Sequence, residues 1–309
     1  MESKHEEERI PMKVFIRFAV LAGLVVGLAG LPAVAAQAQS QQKPQSGQQP
    51  AAQQQTGQSS STAAPAGQAA PAAPKVNPVE EKAYKKFFDT PATDSTTVIS
   101  EGESFLQKFP ESHYASAVYS RLATAYQATG HEAKMMAAAK KAVEMNPNNV
   151  DMLSLLAYVM PRRVDPNDLG AADELKEAQG YATRALQLIP TVAKPAGLTD
   201  AQFAADKNGE MALAHSGLGL VDYYLHNIPG MITELEAALK LETTPDPADQ
   251  FLLGFAYVQA GRYNDAIAPL KSCSSTPNPV ADRCKTALDV AEKHASAQPK
   301  PQAKPQPKS

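Results

Sequence analysis

The chain has 309 residues, 20% of them charged, and a formal net charge of -3 at pH 7. Tight binding of nucleic-acid phosphates needs clustered Lys and Arg. Because none of the segments with helical periodicity carries such a stripe, we expect no nucleic-acid partner. The length alone would suggest about two domains, but a large part of the sequence lacks the apolar residues that a core requires.

Residues 1–38 have the order of a secretory signal. Residues 18–31 are all apolar or glycine, Lys13 and Arg17 precede them, and small residues ending in Ala38 follow. A basic start, an apolar run and a small-residue site are typical of a cleavable signal, and this run is short for a transmembrane helix. We therefore predict export, to the periplasm or by secretion, with cleavage near Ala38.

The charge at the start of this segment leaves two alternatives open. Acidic residues before Met12 are unfavourable at the beginning of a signal, and there are four of them, Glu2, Glu6, Glu7 and Glu8. Met12 is therefore a candidate for the true first residue. A signal that is retained would instead anchor the protein in the inner membrane, and membrane contact is expected only in that case.

Residues 39–76 are rich in Gln, Pro and Ala. Between residues 39 and 74 the only charged residue is Lys43, and no aliphatic or aromatic side chain is larger than alanine. Such a composition cannot bury enough apolar surface to offset the entropy of ordering, so a disordered linker is predicted. Residues 298–309, where Pro alternates with Lys and Gln, are predicted to be a disordered, weakly basic tail. The folded region is then expected at residues 77–297.

Self-similar units make up most of this folded region. The clearest unit covers about residues 247–280, and its small, large apolar and turn residues recur at the spacing of a helix pair: Leu253, Gly254, Tyr257, Gly261, Tyr263, Ala266, Ile267, Leu270, Pro277 and Pro279. Small residues at Gly254 and Ala266 allow two helices to approach closely, and Gly261 turns the chain between them. The unit is therefore predicted to be a pair of antiparallel helices.

This order resembles the tetratricopeptide repeat (TPR), with Gln250 in the position of the family's tryptophan. Residues of about 116–149 repeat it: Tyr119, Leu122, Ala123, Tyr126, Gly130, Ala142 and Pro147. Two partial units lie between these, one enlarged by a polar insert at about residues 162–170 and one with Asp222 where the pattern has Tyr. A degenerate first unit covers about residues 79–112, and its end resembles the repeats of envelope-assembly proteins in Gram-negative bacteria.

The resemblance implies an all-α fold, a right-handed superhelical solenoid of antiparallel helix pairs, with a C-terminal capping helix at about residues 280–295. It also implies a non-catalytic scaffold or adaptor in the bacterial cell envelope, which binds segments of other proteins in the concave groove of the stack. A structural tether, anchored by an uncleaved signal, is one alternative. An enzyme whose site is assembled only in the fold is another.

The concave surface of such a stack is lined by the first helix of each pair. In the fourth and fifth units, helical spacing selects an apolar and aromatic set for this surface: Leu213, Leu220, Tyr223, Tyr224, Phe251, Phe255 and Val258. Exposed apolar patches commonly mark recognition surfaces, and Tyr adds contact area while keeping a polar tip. We therefore predict a partner-binding groove here. The opposing interpretation is that these residues pack against neighbouring helices or against residues 191–208.

Motifs for catalysis or cofactor binding are lacking in the sequence. The six histidines form no pair at helical ligand spacing around a glutamate, and the two cysteines form no metal-type doublet. Gly217-Leu218-Gly219 lacks the third glycine, the preceding strand and the lysine of a nucleotide-binding loop, so close helix packing is the favoured interpretation. We therefore expect no cofactor and no metal.

Cys273 and Cys284 are the only cysteines. The first lies late in the last repeat and the second lies one turn into the predicted capping helix. An exported chain reaches an oxidising compartment, which favours a disulfide between this isolated pair over two free thiols. Such a bridge would hold the capping helix on the stack. The alternative is that both are small buried apolar residues.

Overall fold

The structure, a computed structural model, describes residues 77–297. The predicted signal region 1–38, the linker 39–76 and the tail 298–309 lie outside the described residues. Residues 77–297 contain α-helices, two short 3-10 helices and no strand. The α-helices are α1 (Pro78–Asp89), α2 (Ser95–Lys108), α3 (Ala115–Ala128), α4 (Glu132–Met145), α5 (Val150–Val159), α6 (Ala171–Leu188), α7 (Asp200–Tyr224), α8 (Ile228–Leu241), α9 (Pro247–Gln259), α10 (Tyr263–Ser274) and α11 (Ala281–Ala297).

The helices pack in consecutive pairs, α1 with α2 through to α9 with α10, and α11 packs on both helices of the last pair. Each pair also contacts the next one: for example, α2 contacts α3, and α8 contacts α9. The predicted all-α stack of helix pairs with a C-terminal capping helix is thus confirmed. Within the described region, no helix is long and apolar enough to span a membrane.

Polar residues at the helix starts explain where several helices begin. The side chains of Asp94, Asn149 and Asn227 each accept a hydrogen bond from a backbone N–H in the first turn of the helix that follows. At α7, Thr199 and Gln202 cap each other's backbone N–H groups, so both ends of a capping box are present. These contacts satisfy amide groups that have no partner within the helix.

Three turns between paired helices share one backbone conformation. Gly130 and Gly261 have φ of 73° and 69°, and the residue after each donates its N–H to the carbonyl of Tyr126 or Tyr257 at 2.8 Å. Between α7 and α8 this left-handed position is occupied by His226, with φ of 56°.

The following residue, Asn227, donates its N–H to Asp222 O at 2.9 Å. Asp222 therefore occupies the position that Tyr126 and Tyr257 hold in the second and fifth units. The structure thus gives the register of the fourth unit, although neither its turn residue nor its Tyr position follows the family pattern.

Close helix approach accounts for the glycines that the repeat pattern placed inside helices. A Cβ atom at Gly254 would lie 2.4 Å from Leu270, and one at Gly217 would lie 2.2 Å from the backbone oxygen of Ala157 on α5. Both distances are far below van der Waals contact, so a larger residue would need a shift of the Leu270 side chain at Gly254 and of the helix backbone at Gly217. Gly217 is thus a packing residue, which agrees with the favoured interpretation of Gly217-Leu218-Gly219.

A disulfide joins Cys273 on α10 to Cys284 on α11, with Cα atoms 6.0 Å apart. Both cysteines are buried. The other end of α11 is held on the same pair by His294, whose ring stacks on Tyr263 with the centroids 4.7 Å apart. The capping helix is therefore attached at both ends. Labelling of free thiols in the unfolded, unreduced protein remains the test of this bridge.

Candidate functional site

Four aromatic side chains on α7 and α9 form a continuous row, which we call the aromatic cluster: Tyr224, Tyr223, Phe255 and Phe251. The ring centroids of Tyr223 and Tyr224 are 5.3 Å apart, those of Tyr223 and Phe255 are 5.9 Å apart, and those of Phe251 and Phe255 are 6.3 Å apart. Such separations are favourable for tilted and edge-to-face aromatic pairs. The row crosses from the fourth unit to the fifth.

The aromatic cluster is half-buried. All four rings pack against core residues of the same region, and each keeps part of its surface exposed. Val258, one turn beyond Phe255 on α9, is half-buried in the same way. Five of the seven predicted groove residues therefore lie together on one surface, held in place by a packed core beneath.

The other two predicted groove residues lie elsewhere. Leu220 is 1% exposed and belongs to the core between α7, α8 and α9, so the prediction that it faces a partner is wrong. The repeat position was read correctly, but the neighbouring helix covers it. Leu213 is half-buried, and it lies ten residues before Tyr223, about 15 Å along α7, so it is not part of the aromatic cluster.

One end of the aromatic cluster borders an acidic turn. The Tyr224 hydroxyl donates a hydrogen bond to the Val164 carbonyl at 3.3 Å, and Asp165 and Asp168 in the turn that follows are exposed. Burial raises the pKa of Tyr224, and the nearby Asp165 charge raises it further, while the Arg162 charge lowers it. The Tyr224 hydroxyl therefore stays protonated and remains a hydrogen-bond donor.

A set of charged and polar side chains joins α5, α7 and the start of α9. We call it the buried polar cluster: Tyr158, Arg162, Ser216, Asp246 and Asp249. Arg162 donates to Ser216 Oγ at 2.7 Å and to Asp249 Oδ1 at 3.0 Å, and Ser216 donates to the same Asp249 oxygen at 2.7 Å. The side chains of Arg162 and Asp249 are 8% and 1% exposed.

Tyr158 completes this cluster. Its hydroxyl donates to Asp246 Oδ2 at 2.8 Å, and the Arg162 guanidinium lies 3.5 Å from the centroid of its ring. These five residues come from α5 and its 3-10 extension Met160–Arg163, from α7, and from the start of α9. The buried polar cluster therefore links the third, fourth and fifth units.

Burial raises the pKa of Asp249 to about 6, although the Arg162 charge and the Ser216 hydrogen bond lower it. The second carboxylate oxygen, Oδ2, is buried without a hydrogen-bond partner. Asp249 is therefore ionised at neutral pH but takes up a proton under mildly acidic conditions. Its charge depends on Arg162, because burial alone opposes ionisation.

Sequence reasoning missed the buried polar cluster. It assigned Arg162 to a polar insert that enlarges a turn, whereas Arg162 is buried and its carboxylate partner lies 87 residues further along the chain. Periodicity distinguishes polar from apolar positions but does not pair distant charges. The only available signal was an arginine directly after the apolar α5 segment.

A groove of about 320 Å³ lies between α2, α3 and α4, with Leu122 and Tyr126 in its lining. Three of its polar side chains are engaged with one another. Glu103 accepts hydrogen bonds from the Tyr126 hydroxyl at 2.5 Å and from Lys134 at 2.9 Å. Within residues 77–297, no group of three or more His, Cys, Asp or Glu side chains is arranged to hold a metal ion.

Comparison with known proteins gives one match to a family model and a likeness to a solved structure. Residues 116–149 match the family model described as tetratricopeptide repeat. A solved structure described as a thermophilic TPR protein, from Thermus thermophilus, is similar over 71% of this chain and 98% of that chain, with 18% identity and a TM-score of 0.39. No curated protein matches the chain. A tetratricopeptide repeat supports a protein-interaction scaffold in general, and the chain carries such a repeat within its solenoid of helix pairs.

Proposed function

We propose that the protein is a non-catalytic scaffold of the bacterial cell envelope and that it binds segments of partner proteins through the aromatic cluster. The observation that carries this proposal is the continuous, partly exposed row of rings on α7 and α9. Large aromatic side chains dominate the energetics of protein interfaces because they bury much area with few rotatable bonds. The partner segment is extended or helical and carries apolar anchors.

The packing beneath the rings supports this use. A binding surface gains affinity when little has to be ordered on association. The aromatic cluster rests on a packed core, and the buried polar cluster holds α7 and α9 to α5. The surface is therefore preorganised before a partner arrives.

The envelope location is supported by the order of residues 1–38, which is that of a secretory signal. Sequencing of the N-terminal peptide of the mature protein tests it. A first residue close to Gln39 is expected, and recovery of peptides that begin at Met1 would contradict cleavage.

A photocrosslinking amino acid placed at residue 255 tests the groove in intact cells. We expect a crosslink to a defined envelope protein, which mass spectrometry identifies. Residue 203 provides the matched control, since Phe203 is also a half-buried aromatic residue on the inner helices but lies far from the aromatic cluster. Equal crosslinking from both positions would indicate collision without a specific site.

Phe255→Ala then tests the energetic role of the ring against the identified partner. We expect binding to weaken by about 2 kcal/mol or more, as for an interface anchor. The loss of stability should stay well below the roughly 3 to 5 kcal/mol that truncation of a fully buried Phe costs. Titration calorimetry and thermal melting are compared with those of Phe203→Ala. Unchanged affinity, or a collapse in melting temperature, would contradict the proposal.

A further inference from the structure

The end of the described chain lies beside the turn that joins α9 to α10. His294, in the last turn of α11, stacks on Tyr263, the first residue of α10. The turn before α10 directly follows the last residues of α9, where Phe255 and Val258 lie. The chain therefore leaves α11 at Ala297 on the side of the solenoid where α9 ends.

The sequence that follows has a composition suited to an aromatic surface. Residues 298–309 contain four prolines and three lysines, and Pro alternates with Lys or Gln along much of the segment. Proline-rich segments dock in grooves lined by aromatic rings, because they are already extended and lose little entropy on binding. The aromatic cluster presents rings of this kind.

The charges of the tail and of the solenoid are also complementary at the Tyr224 end of the aromatic cluster. The hydrogen bond from Tyr224 to the Val164 carbonyl places the acidic turn, with exposed Asp165 and Asp168, beside the last ring of the row. Lysine side chains that cross the rings therefore meet carboxylates where the row ends. Charge pairs across an interface fix the orientation of the bound segment and speed its association more than they raise its affinity.

The segment is also long enough. α11 packs on α9, and packed helices lie about 8 to 10 Å apart. From Phe255 the rings of Tyr223 and Tyr224 follow in steps of 5.9 and 5.3 Å, so a path from α11 across the rings to the acidic turn covers about 30 Å. Twelve residues in an extended polyproline conformation span about 37 Å, at about 3.1 Å per residue. Lys308 can then reach the turn while the prolines cross the rings.

We propose that residues 298–309 of the same chain dock across the aromatic cluster, with the prolines against the rings and the lysines against Asp165 and Asp168. A partner segment then has to displace this tail, which makes the tail an autoinhibitory element. The proposal rests on the proposed function in one respect, since both assign binding to the same surface.

A nitroxide label at residue 309 tests this directly. Cys273 and Cys284 are bridged, so Ser309→Cys supplies one free thiol. We expect the amide resonances of Tyr223 and Tyr224 to lose most of their intensity relative to the sample with reduced nitroxide. The amide resonances of α1, such as that of Phe87, should keep their intensity.

Charge variants of the labelled chain provide the matched control. Reversal of the three tail lysines to Glu should restore most of the lost intensity, and Asp165→Asn together with Asp168→Asn should restore part of it. Intensity that is lost equally across all helices, or that stays lost after the charge reversal, would overturn the proposal. Resonances that never lose intensity would overturn it as well.

A mixed sample excludes occupation by a second copy. In this sample the chains that carry the nitroxide have no isotope label, and the isotope-labelled chains have no nitroxide. Loss of intensity there would mean that the tail docks on a neighbouring copy, which contradicts docking within one chain. If the tail is undocked but residue 255 crosslinks to a specific partner, only the tail proposal is wrong. If the tail is docked but residue 255 crosslinks to no partner, the result counts only against the proposed function.

Discussion

The inner faces of the second unit and of the third to fifth units use the same repeat positions but hold their helices in different ways. On α3 the polar contacts reach one neighbouring unit at most: Arg121 donates to Phe88 O at 2.6 Å, and Asn149 at the start of α5 donates to Ser120 Oγ at 2.8 Å. Further along, Arg162 reaches Ser216 and Asp249, which are 54 and 87 residues away. The hydrogen bonds of the second unit therefore join it to adjacent units, whereas those of Arg162 and its partners connect three units.

This difference bears on how the solenoid works. Repeat proteins are held together mainly by contacts between neighbouring units, so each part can open with some independence. In this chain the buried polar cluster adds a connection across three units, next to the aromatic cluster. We therefore expect the C-terminal part to unfold as one block and to present a rigid surface, and the N-terminal part to behave as an ordinary stack.

Removal of Arg162 is expected to have the largest effect on this block. Arg162→Met keeps much of the side-chain volume but leaves Asp249 buried without its cation. Breaking a buried ion pair at one partner typically costs about 3 to 5 kcal/mol. The free energy of unfolding, measured by urea titration at pH 8, should fall by about this amount. Arg163→Met is the control, because Arg163 pairs with Glu132 at the surface, where such pairs contribute about 1 kcal/mol or less.

The cost of Arg162→Met should also depend on pH. Burial already raises the pKa of Asp249 to about 6, and loss of the Arg162 charge raises it further. Above pH 6 the folded variant therefore binds a proton that the wild type and the unfolded chain do not bind. Its stability consequently falls with rising pH relative to the wild type, so the deficit should be larger at pH 8 than at pH 5.5. A deficit that is independent of pH would contradict the role of Asp249.

The disulfide tests whether the block extends into the capping helix. The bridge closes a short loop, with a sequence separation of 11. Replacement of Cys273 and Cys284 by Ser should destabilise the protein by about 3 kcal/mol in the chain-entropy model. Hydrogen exchange should show the loss first in α11 and only weakly in α1. Two free thiols in the unfolded, unreduced wild type would show that no bridge forms.

The turn at His226 gives the smallest expected effect and sharpens the comparison between units. His226 is exposed and has a left-handed backbone conformation, which Gly130 and Gly261 adopt at the equivalent turns. An L-residue pays about 1 to 2 kcal/mol for this conformation, and the greater freedom of glycine when unfolded offsets part of the gain. His226→Gly should therefore raise stability by about 0.5 to 1 kcal/mol. A lower melting temperature would mean that the His226 side chain stabilises the turn.

Local features of the sequence determined the repeat architecture. The order of Gly254, Gly261 and Ala266 predicted a helix pair with a tight turn, and the structure shows that pair. Such features are short-range, because a helix pair depends on spacing, on small residues at the crossing and on a glycine with positive φ. The same reasoning placed Tyr223 and Phe255 on the inner helices, where their rings are in contact.

Only the tertiary structure decided which inner residues are covered and which distant charges meet. Leu220 and Tyr223 lie on the same helix at inner positions, yet the core covers Leu220 and leaves Tyr223 partly exposed. Arg162 and Asp249 are both charged, which predicts exposure for each, yet each makes the other's burial tolerable. The reason is physical: periodicity describes one helix at a time, whereas burial and charge pairing depend on how several helices curve around one another.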